Sequence, residues 1–243
     1  MDAGRLGYAA CMLLATVLAG WLVRRRQQQT QLTTTQKWGL AIGGITGATF
    51  AAKVPFILTS DPSHGLLLAW MSDGKTVLWG LVGGYLGVEL AKWATWVRQS
   101  TGDSFVVPVA AAIAVGRLGC VCQGCCYGVA TNQSWGMVSL MSSDPGLLRH
   151  PAPLYESAFH AVAAVVAWQA TKHRWLPGQW MVLYMIAYSA FRFISESWRA
   201  EPVWYAGLTF YQCSAVLIGL GFSLLLAWRL HLRTDAACHD REH

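Results

Sequence analysis

The feature that most restricts how this chain can fold is a series of long apolar segments. A helix needs about 20 mostly apolar residues to cross the hydrocarbon core of a bilayer. Seven segments meet this need to differing degrees, at residues 6–23, 38–58, 76–97, 105–121, 153–171, 177–196 and 204–230. The first and last are the clearest. The second, interrupted by Lys53 and Pro55, and the fourth, closed by Arg117 and a glycine-rich stretch, are the weakest.

Composition agrees with this interpretation. Only 12% of the 243 residues are charged and 54% are hydrophobic, too few charges for an ordinary soluble domain of this size. The sequence predicts an all-α, polytopic integral membrane protein with about seven transmembrane helices. We expect one transmembrane domain over residues 1–243, with a cytoplasmic linker at 24–37, an outer loop at 122–150 and a polar cytoplasmic tail at 232–243.

The basic residues predict the orientation. A cluster at 24–26 follows the first apolar run, whereas in a signal peptide the basic residues precede it. Basic residues recur in every second connection, at 92–98, 172–174 and 229–233. Because cytoplasmic loops are rich in lysine and arginine, we expect the N-terminus outside and the C-terminus in the cytoplasm. The net charge of +6 lies largely in these connections, so nucleic acid is not predicted as a partner.

Four charged residues lie at the edges of apolar segments, and this topology brings all four to the outer side. They are Arg117, Glu156, Arg192 and Glu196. Each would cost roughly 2.5–3.5 kcal/mol at the centre of a lipid-facing helix. We therefore expect the four side chains to face one another, or a polar ligand, across a shared cavity.

Residues 116–128 form the densest motif, GRLGCVCQGCCYG. Its glycines permit unusual backbone angles and close approach, as expected where a span breaks beside a cavity. Arg117 either binds a phosphate group in a bidentate manner, or snorkels to the membrane interface or pairs with a carboxylate.

The same motif holds the pattern C-x-C-x-x-C-C, formed by Cys120, Cys122, Cys125 and Cys126. Three interpretations remain open: small packing residues or a structural disulfide, a catalytic or redox thiol site, and a metal site. Zinc sites usually take two separated ligand pairs, and no second pair follows at a suitable spacing. No metal or cofactor is therefore predicted.

Two further motifs follow. In RHPAPLYES, at 149–157, Pro151 and Pro153 suit the start of a helix. Glu156 should then lie in the first turn, where the helix dipole stabilises an anion. Its role is either this interaction, the orientation of an arginine or that of a general base. In RFISESWR, at 192–199, the spacing places Arg192, Glu196 and Arg199 on one helical face, which allows an intrahelical ion pair or a second phosphate-binding arginine.

The third apolar segment contains Gly80, Gly83, Gly84 and Gly87. This small-xxx-small spacing lets either another helix or a lipid chain approach the backbone. Glu89 and Lys92 lie three residues apart near the end of the same segment and are expected to pair.

In this order, the three motifs resemble those of the prolipoprotein diacylglyceryl transferases, and the third segment looks like that family's glycine-rich segment. The resemblance implies an enzyme of the bacterial cytoplasmic (inner) membrane. It would move a diacylglyceryl group from phosphatidylglycerol, or a related anionic phospholipid, to the thiol of a lipobox-containing prelipoprotein. Arg117, Glu156, Arg192 and Glu196 would be catalytic. The substrate-binding residues would be Tyr155, His150, Gly83, Gly84, Arg199 and Gln123.

The chain departs from the family pattern at several positions. Cys120, Gln123 and Cys125 stand where the family has asparagines and a glutamate, and Val82 stands where it has a histidine. Two alternatives therefore stay beside the main hypothesis. One is a paralogue that uses the same lipid with another thiol acceptor. The other is a non-catalytic membrane carrier or redox protein centred on the cysteines.

Overall fold

A computed structural model describes residues 3–28, 30–59, 70, 76–139, 144, 146–199 and 201–239, with side chains as far as residue 234. Across these residues the protein is built from long helices. They are α1 (Ala3–Gln27), α2 (Thr34–Thr59), α3 (Val77–Ala94), α4 (Gly102–Gln123), α5 (Ala152–Lys172), α6 (Trp180–Ser195) and α7 (Phe210–His239). A short 3-10 turn, Glu196–Trp198, follows α6.

Two small antiparallel hairpins complete the described structure. The first pairs β1 (Met137–Val138) with β2 (Leu148–Arg149), and the second pairs β3 (Val203–Tyr205) with β4 (Leu208–Thr209). Both lie in connections between helices, so the all-α prediction is confirmed. Positions 140–143 and 145 of the predicted outer loop at 122–150 lie outside the described residues.

Each of the seven predicted segments corresponds to one of these helices. Four of them, α1, α2, α4 and α7, are long and apolar enough to cross a membrane. The expectation that the second and fourth segments are the weakest is wrong, because α2 continues through Lys53 and Pro55 and α4 continues through Arg117. These residues lie towards the C-terminal ends of their helices, so long apolar windows remain before them.

The other three helices are too short or too polar to qualify as membrane spans in the same way. Helix α6 has 16 residues, a length of about 24 Å at 1.5 Å per residue. Helix α3 has 18 residues and ends with the Glu89–Lys92 pair, whereas α5 has 21 residues and carries polar groups along its length. The all-helical membrane class therefore stands, and the number of spans stays a prediction.

The chain forms two compact units. The first comprises Met1–Gln28 and Thr101–His243. Within it α4 packs against α1 and α5, and α6 packs against α7. The Ser157 hydroxyl donates to the carbonyl oxygen of Ala114 at 2.8 Å and joins α5 to α4. The Asp103 carboxylate accepts hydrogen bonds from the amides of Gly178 and Trp180, which ties the start of α4 to the start of α6.

The second unit, Gln29–Ser100, contains the helix pair α2 and α3. We call their contact the glycine interface. A β-carbon on Gly83 would collide with the carbonyl oxygen of Gly47, and one on Gly87 would collide with that of Gly43. Only glycine permits so close an approach of two helix backbones. The predicted Glu89–Lys92 pair is confirmed, with a distance of 3.0 Å between Lys92 Nζ and Glu89 Oε2.

Candidate active site

Helix α4 carries Arg117 without the break that the glycines suggested. Gly116 and Gly119 stay helical, and Gly119 admits α1, since an added β-carbon there would lie 3.1 Å from Cys11 Cβ. The helix ends only at Gly124, whose φ of 72° is left-handed, a common way for helices to end. Arg117 is therefore held on a continuous helix and lies one turn before Cys120.

Helix α5 positions Glu156. The helix begins at Ala152 behind Pro151, as the proline pattern predicts, but no acidic residue lies in its first turn. The expectation that Glu156 lies there is wrong because four helical residues precede it. Glu156 is only 2% exposed. A buried carboxylate needs charged or hydrogen-bonding partners rather than the dipole alone.

The predicted charged residues meet in one ion-pair network, which we call the charged cluster. Arg117 Nε lies 2.5 Å from Glu156 Oε2. From α6, Arg192 reaches both carboxylates, with its Nη1 3.4 Å from Glu156 Oε1 and its Nη2 2.6 Å from Glu196 Oε2. The network joins α4, α5, α6 and the turn after α6, so residues far apart in sequence form one site.

Both ion-pair alternatives for the arginines are thus present in this structure. Two guanidinium groups balance two carboxylates, and Glu156 lies between the two arginines. The arginine side chains are 16% and 11% exposed, whereas the glutamates are almost completely buried. An anionic group that reaches the cluster would meet guanidinium groups that are already held in place.

Two residues that the sequence did not single out contact the carboxylates. The Tyr188 hydroxyl donates to Glu156 Oε1 at 3.1 Å, and the Thr209 hydroxyl lies 3.5 Å from Glu196 Oε1. Tyr188 is completely buried. One signal was available for it, because it lies four residues before Arg192 in an apolar helix and hence on the same face.

Aromatic groups surround two of the predicted substrate-binding residues. The Tyr155 hydroxyl accepts a hydrogen bond from Trp135 Nε1 at 2.8 Å and lies 3.2 Å from His150 Nδ1. Trp198 stacks on the His150 ring, with 6.0 Å between ring centroids. Gly128 packs so closely against the Trp198 carbonyl that a β-carbon would collide with it.

The remaining predicted residues occupy different places. The Arg199 amide donates to the carbonyl oxygen of Glu196 at 2.9 Å, next to the charged cluster. Gln123 is the last residue of α4, and its Oε1 lies 4.0 Å from Cys125 Sγ. Gly83 and Gly84 belong to the second unit, where the glycine interface accounts for them by packing. Their predicted contact with lipid stays a prediction.

The structure separates the four clustered cysteines into three and one. The sulfur atoms of Cys120, Cys125 and Cys126 all lie within 4.8 Å of one another. Cys122 instead faces α1, where a β-carbon on Gly7 would lie 2.9 Å from Cys122 Cβ. A hydrogen bond with Cys120 lowers the pKa of the Cys126 thiol to about 5, and the charge of Arg117 acts in the same direction.

Comparison with known proteins shows the family of the chain. The model of the prolipoprotein diacylglyceryl transferase family matches residues 6–228. The chain belongs to this family. The match extends over all seven helices, including the complete charged cluster.

Individual relatives give the same result. The phosphatidylglycerol–prolipoprotein diacylglyceryl transferase 2 of Clostridium perfringens is 28% identical over 211 residues, which cover 83% of this chain and 81% of the relative. The phosphatidylglycerol–prolipoprotein diacylglyceryl transferase of Oleidesulfovibrio alaskensis is 32% identical over 213 residues, covering 81% and 73%. The relative of that name from Bordetella bronchiseptica is 29% identical, covering 83% and 80%. Family membership therefore does not depend on one motif.

Proposed function

We propose that this protein transfers the diacylglyceryl group of phosphatidylglycerol to the thiol of a lipoprotein precursor. The observation that carries the proposal is the convergence of Arg117 and Arg192 on the single carboxylate of Glu156. Two fixed guanidinium groups suit a phosphodiester, because arginine binds phosphate in a bidentate manner and keeps its charge when desolvated. The names of the relatives support the same lipid and the same kind of acceptor.

In this proposal the acceptor thiol gives its proton to water, and its sulfur attacks the terminal glyceryl carbon of the diacylglyceryl group. A carbon–sulfur bond forms while the bond between that carbon and the phosphate oxygen breaks. Glycerol phosphate leaves with the electron pair. Arg117 and Arg192 stabilise the charge that develops on it, which is the effect of preorganised donors at a reacting centre. Glu156 and Glu196 orient the two arginines before the lipid arrives.

The departures from the family pattern bear on the acceptor of the lipid group. Val82 replaces the histidine that the resemblance implies, and Cys120 and Cys125 replace polar residues of the motif. A second candidate function is therefore transfer of the same lipid group to another thiol. The charged cluster would serve both reactions, since it concerns the phosphate rather than the acceptor.

The experiment uses the full chain in phosphatidylglycerol vesicles with a lipobox peptide, and mass spectrometry of both products. We expect equal amounts of glycerol phosphate and thioether-linked peptide. A peptide with serine in place of its cysteine and vesicles of phosphatidylethanolamine serve as controls. Transfer to a small thiol but not to the peptide would favour the second candidate. Release of no glycerol phosphate with any thiol would contradict both.

We further propose that the chain crosses the inner membrane seven times, with its N-terminus outside. The alternating basic connections support this arrangement, which places the charged cluster near the outer surface. A green fluorescent protein fused to the C-terminus should fluoresce, and an alkaline phosphatase fused there should be inactive. An active phosphatase at the C-terminus would show that the chain has the opposite orientation.

A further inference from the structure

The three clustered thiols are held together by the way α4 ends. Cys120 lies in the last turn of α4, and the Cys125 amide donates back to its carbonyl oxygen at 3.0 Å. The left-handed Gly124 reverses the chain between them. The buried Ser139 hydroxyl donates to the Gly124 carbonyl at 2.8 Å and fixes this reversal. The backbone therefore returns the second half of the motif to the first.

Cys126 has an uncommon backbone conformation that contributes to the arrangement. Its φ is 63°, in the left-handed region that favours glycine. Such a conformation costs a non-glycine residue about 1–3 kcal/mol and persists where the surrounding structure requires it. Here it directs the Cys126 sulfur to 3.7 Å from that of Cys125.

This spacing suits metal coordination. Tetrahedral zinc with bonds of about 2.3 Å to sulfur requires separations of about 3.8 Å between its sulfur ligands. The three sulfurs already lie within 4.8 Å of one another, and cysteine sulfur is the ligand that zinc and other thiophilic metals prefer. Spacing alone does not predict this set, because zinc sites usually take two separated ligand pairs, whereas the helix end brings three ligands together from one short motif.

We propose that Cys120, Cys125 and Cys126 bind one zinc ion through their three sulfur atoms and leave its fourth position open. Within the described part of the chain, no other histidine, cysteine, aspartate or glutamate joins this group. Structural zinc sites have four protein ligands, whereas catalytic sites keep three and an open position. The ligand number thus favours a site for an exchangeable ligand.

The position of the site indicates what that ligand is. Arg117 lies one helical turn before Cys120 on α4, so the ion would adjoin the charged cluster. If the protein has the proposed function, the open position of the zinc ion would bind the acceptor thiol. A thiol that binds zinc loses its proton, here to water. The bound sulfur then forms the carbon–sulfur bond as the carbon–oxygen bond to phosphate breaks, and the ion stays on the three cysteines.

The test uses the reduced full chain in detergent, stripped of metal with a chelator and then titrated with zinc. We expect one ion per chain by plasma mass spectrometry. Zinc binding should weaken by at least about 10–100-fold in each of three variants, Cys120→Ser, Cys125→Ser and Cys126→Ser. Mutation of a residue that only contacts a metal ligand already causes a loss of this size. The matched control is Cys122→Ser, which changes the same motif but lies outside the group and should bind like the parent. Cys126 is exposed, so its variant loses little packing and remains informative if Cys120→Ser fails to fold.

A second arm replaces zinc with cobalt and adds the lipobox peptide. Thiol coordination should intensify the sulfur-to-cobalt absorption, whereas a peptide with serine at the acceptor position should leave it unchanged. Absence of metal binding by the reduced protein, or equal losses in all four cysteine variants, would overturn the site. A spectrum that the peptide does not alter would overturn the open position. Lipid transfer by a protein that binds no metal would remove this proposal and leave the proposed function intact.

Discussion

The charged cluster and the glycine interface both hold helices together, but they do so with different forces. Between α2 and α3, glycines bring two backbones into van der Waals contact. Between α4, α5 and α6, two arginines and two glutamates meet in a nearly buried network. One contact is geometric and the other is electrostatic.

This difference matters for function. Close packing of small residues is a common and sufficient reason for two membrane helices to associate. A buried ion-pair network is weak evidence for stability, because removing charges from water costs about as much as their attraction returns. The glycine interface is therefore explained by assembly alone. The charged cluster requires a further reason, and binding of an anionic substrate supplies one.

The largest expected effect is on turnover when the arginines are removed. Arg117→Ala and Arg192→Ala should each lower kcat by at least about 10²–10³-fold, the usual cost of removing one preorganised donor. Arg117→Lys should recover little, because lysine lacks the planar fork. Glycerol phosphate release per folded molecule is the measurement.

The matched control for the arginines is Lys92→Ala, which breaks the Glu89–Lys92 pair in the other unit. It should leave turnover near the parental rate, because that pair is a partly exposed contact within one helix. Parental turnover in both folded arginine variants would place the active site elsewhere.

The next effect concerns stability and the glycine interface. Gly87→Ala forces a methyl group against the Gly43 carbonyl and should cost about 1–3 kcal/mol, as overpacking does. Gly84→Ala is the matched control, because its β-carbon would meet Gly44 and Ala48 at 3.4 and 3.5 Å, which are ordinary contacts. Thermal unfolding in detergent measures both.

The same pair of variants tests whether Gly84 contacts lipid. If Gly84 serves packing alone, Gly84→Ala should retain both stability and turnover. A stable Gly84→Ala protein with a raised KM for phosphatidylglycerol would instead support the predicted lipid contact and weaken the distinction between the two regions.

Much of this could be predicted from the sequence, since hydrophobic length and charge cost are local properties. The seven apolar segments predict the seven helices, and the cost of isolated charges predicts that Arg117, Glu156, Arg192 and Glu196 meet. The features that could not be predicted depend on the backbone conformation at helix ends and turns. The separation of Cys122 from its three neighbours follows from the left-handed turn at Gly124, which spacing alone does not reveal.

A smaller effect is expected at Tyr188, which supports the cluster without carrying charge. Tyr188→Phe removes the hydrogen bond to Glu156, and bonds to charged groups contribute about 1.5–3 kcal/mol. We expect a loss of stability within this range and a fall in kcat of up to about tenfold. The KM for lipid should stay unchanged, because the Tyr188 hydroxyl contacts the Glu156 carboxylate rather than an arginine.

Tyr184→Phe is the matched control for Tyr188→Phe. The Tyr184 hydroxyl is also buried but contacts His160 Nδ1, at 2.8 Å. Its loss should lower stability and leave kcat unchanged. Equal falls in kcat for the two variants would show that Tyr188 acts through general packing rather than through Glu156.

The smallest effect is expected at Thr209, at the edge of the charged cluster. Its hydroxyl accepts a hydrogen bond from the Gln212 amide at 3.1 Å, while its own amide donates to Gln212 Oε1 at 3.0 Å. This reciprocal pair is a capping box at the start of α7. Thr209→Ala should therefore cost about 1 kcal/mol of stability, as lost caps do, and Thr209→Ser should cost less.

Turnover should change less than about twofold in either Thr209 variant, because a 3.5 Å contact with Glu196 is too long to orient that carboxylate strongly. Calorimetry and glycerol phosphate release measure the two quantities separately. A tenfold loss of turnover in Thr209→Ala that Thr209→Ser restores would contradict this expectation. It would show that the hydroxyl positions Glu196, and it would extend the charged cluster from α6 to the start of α7.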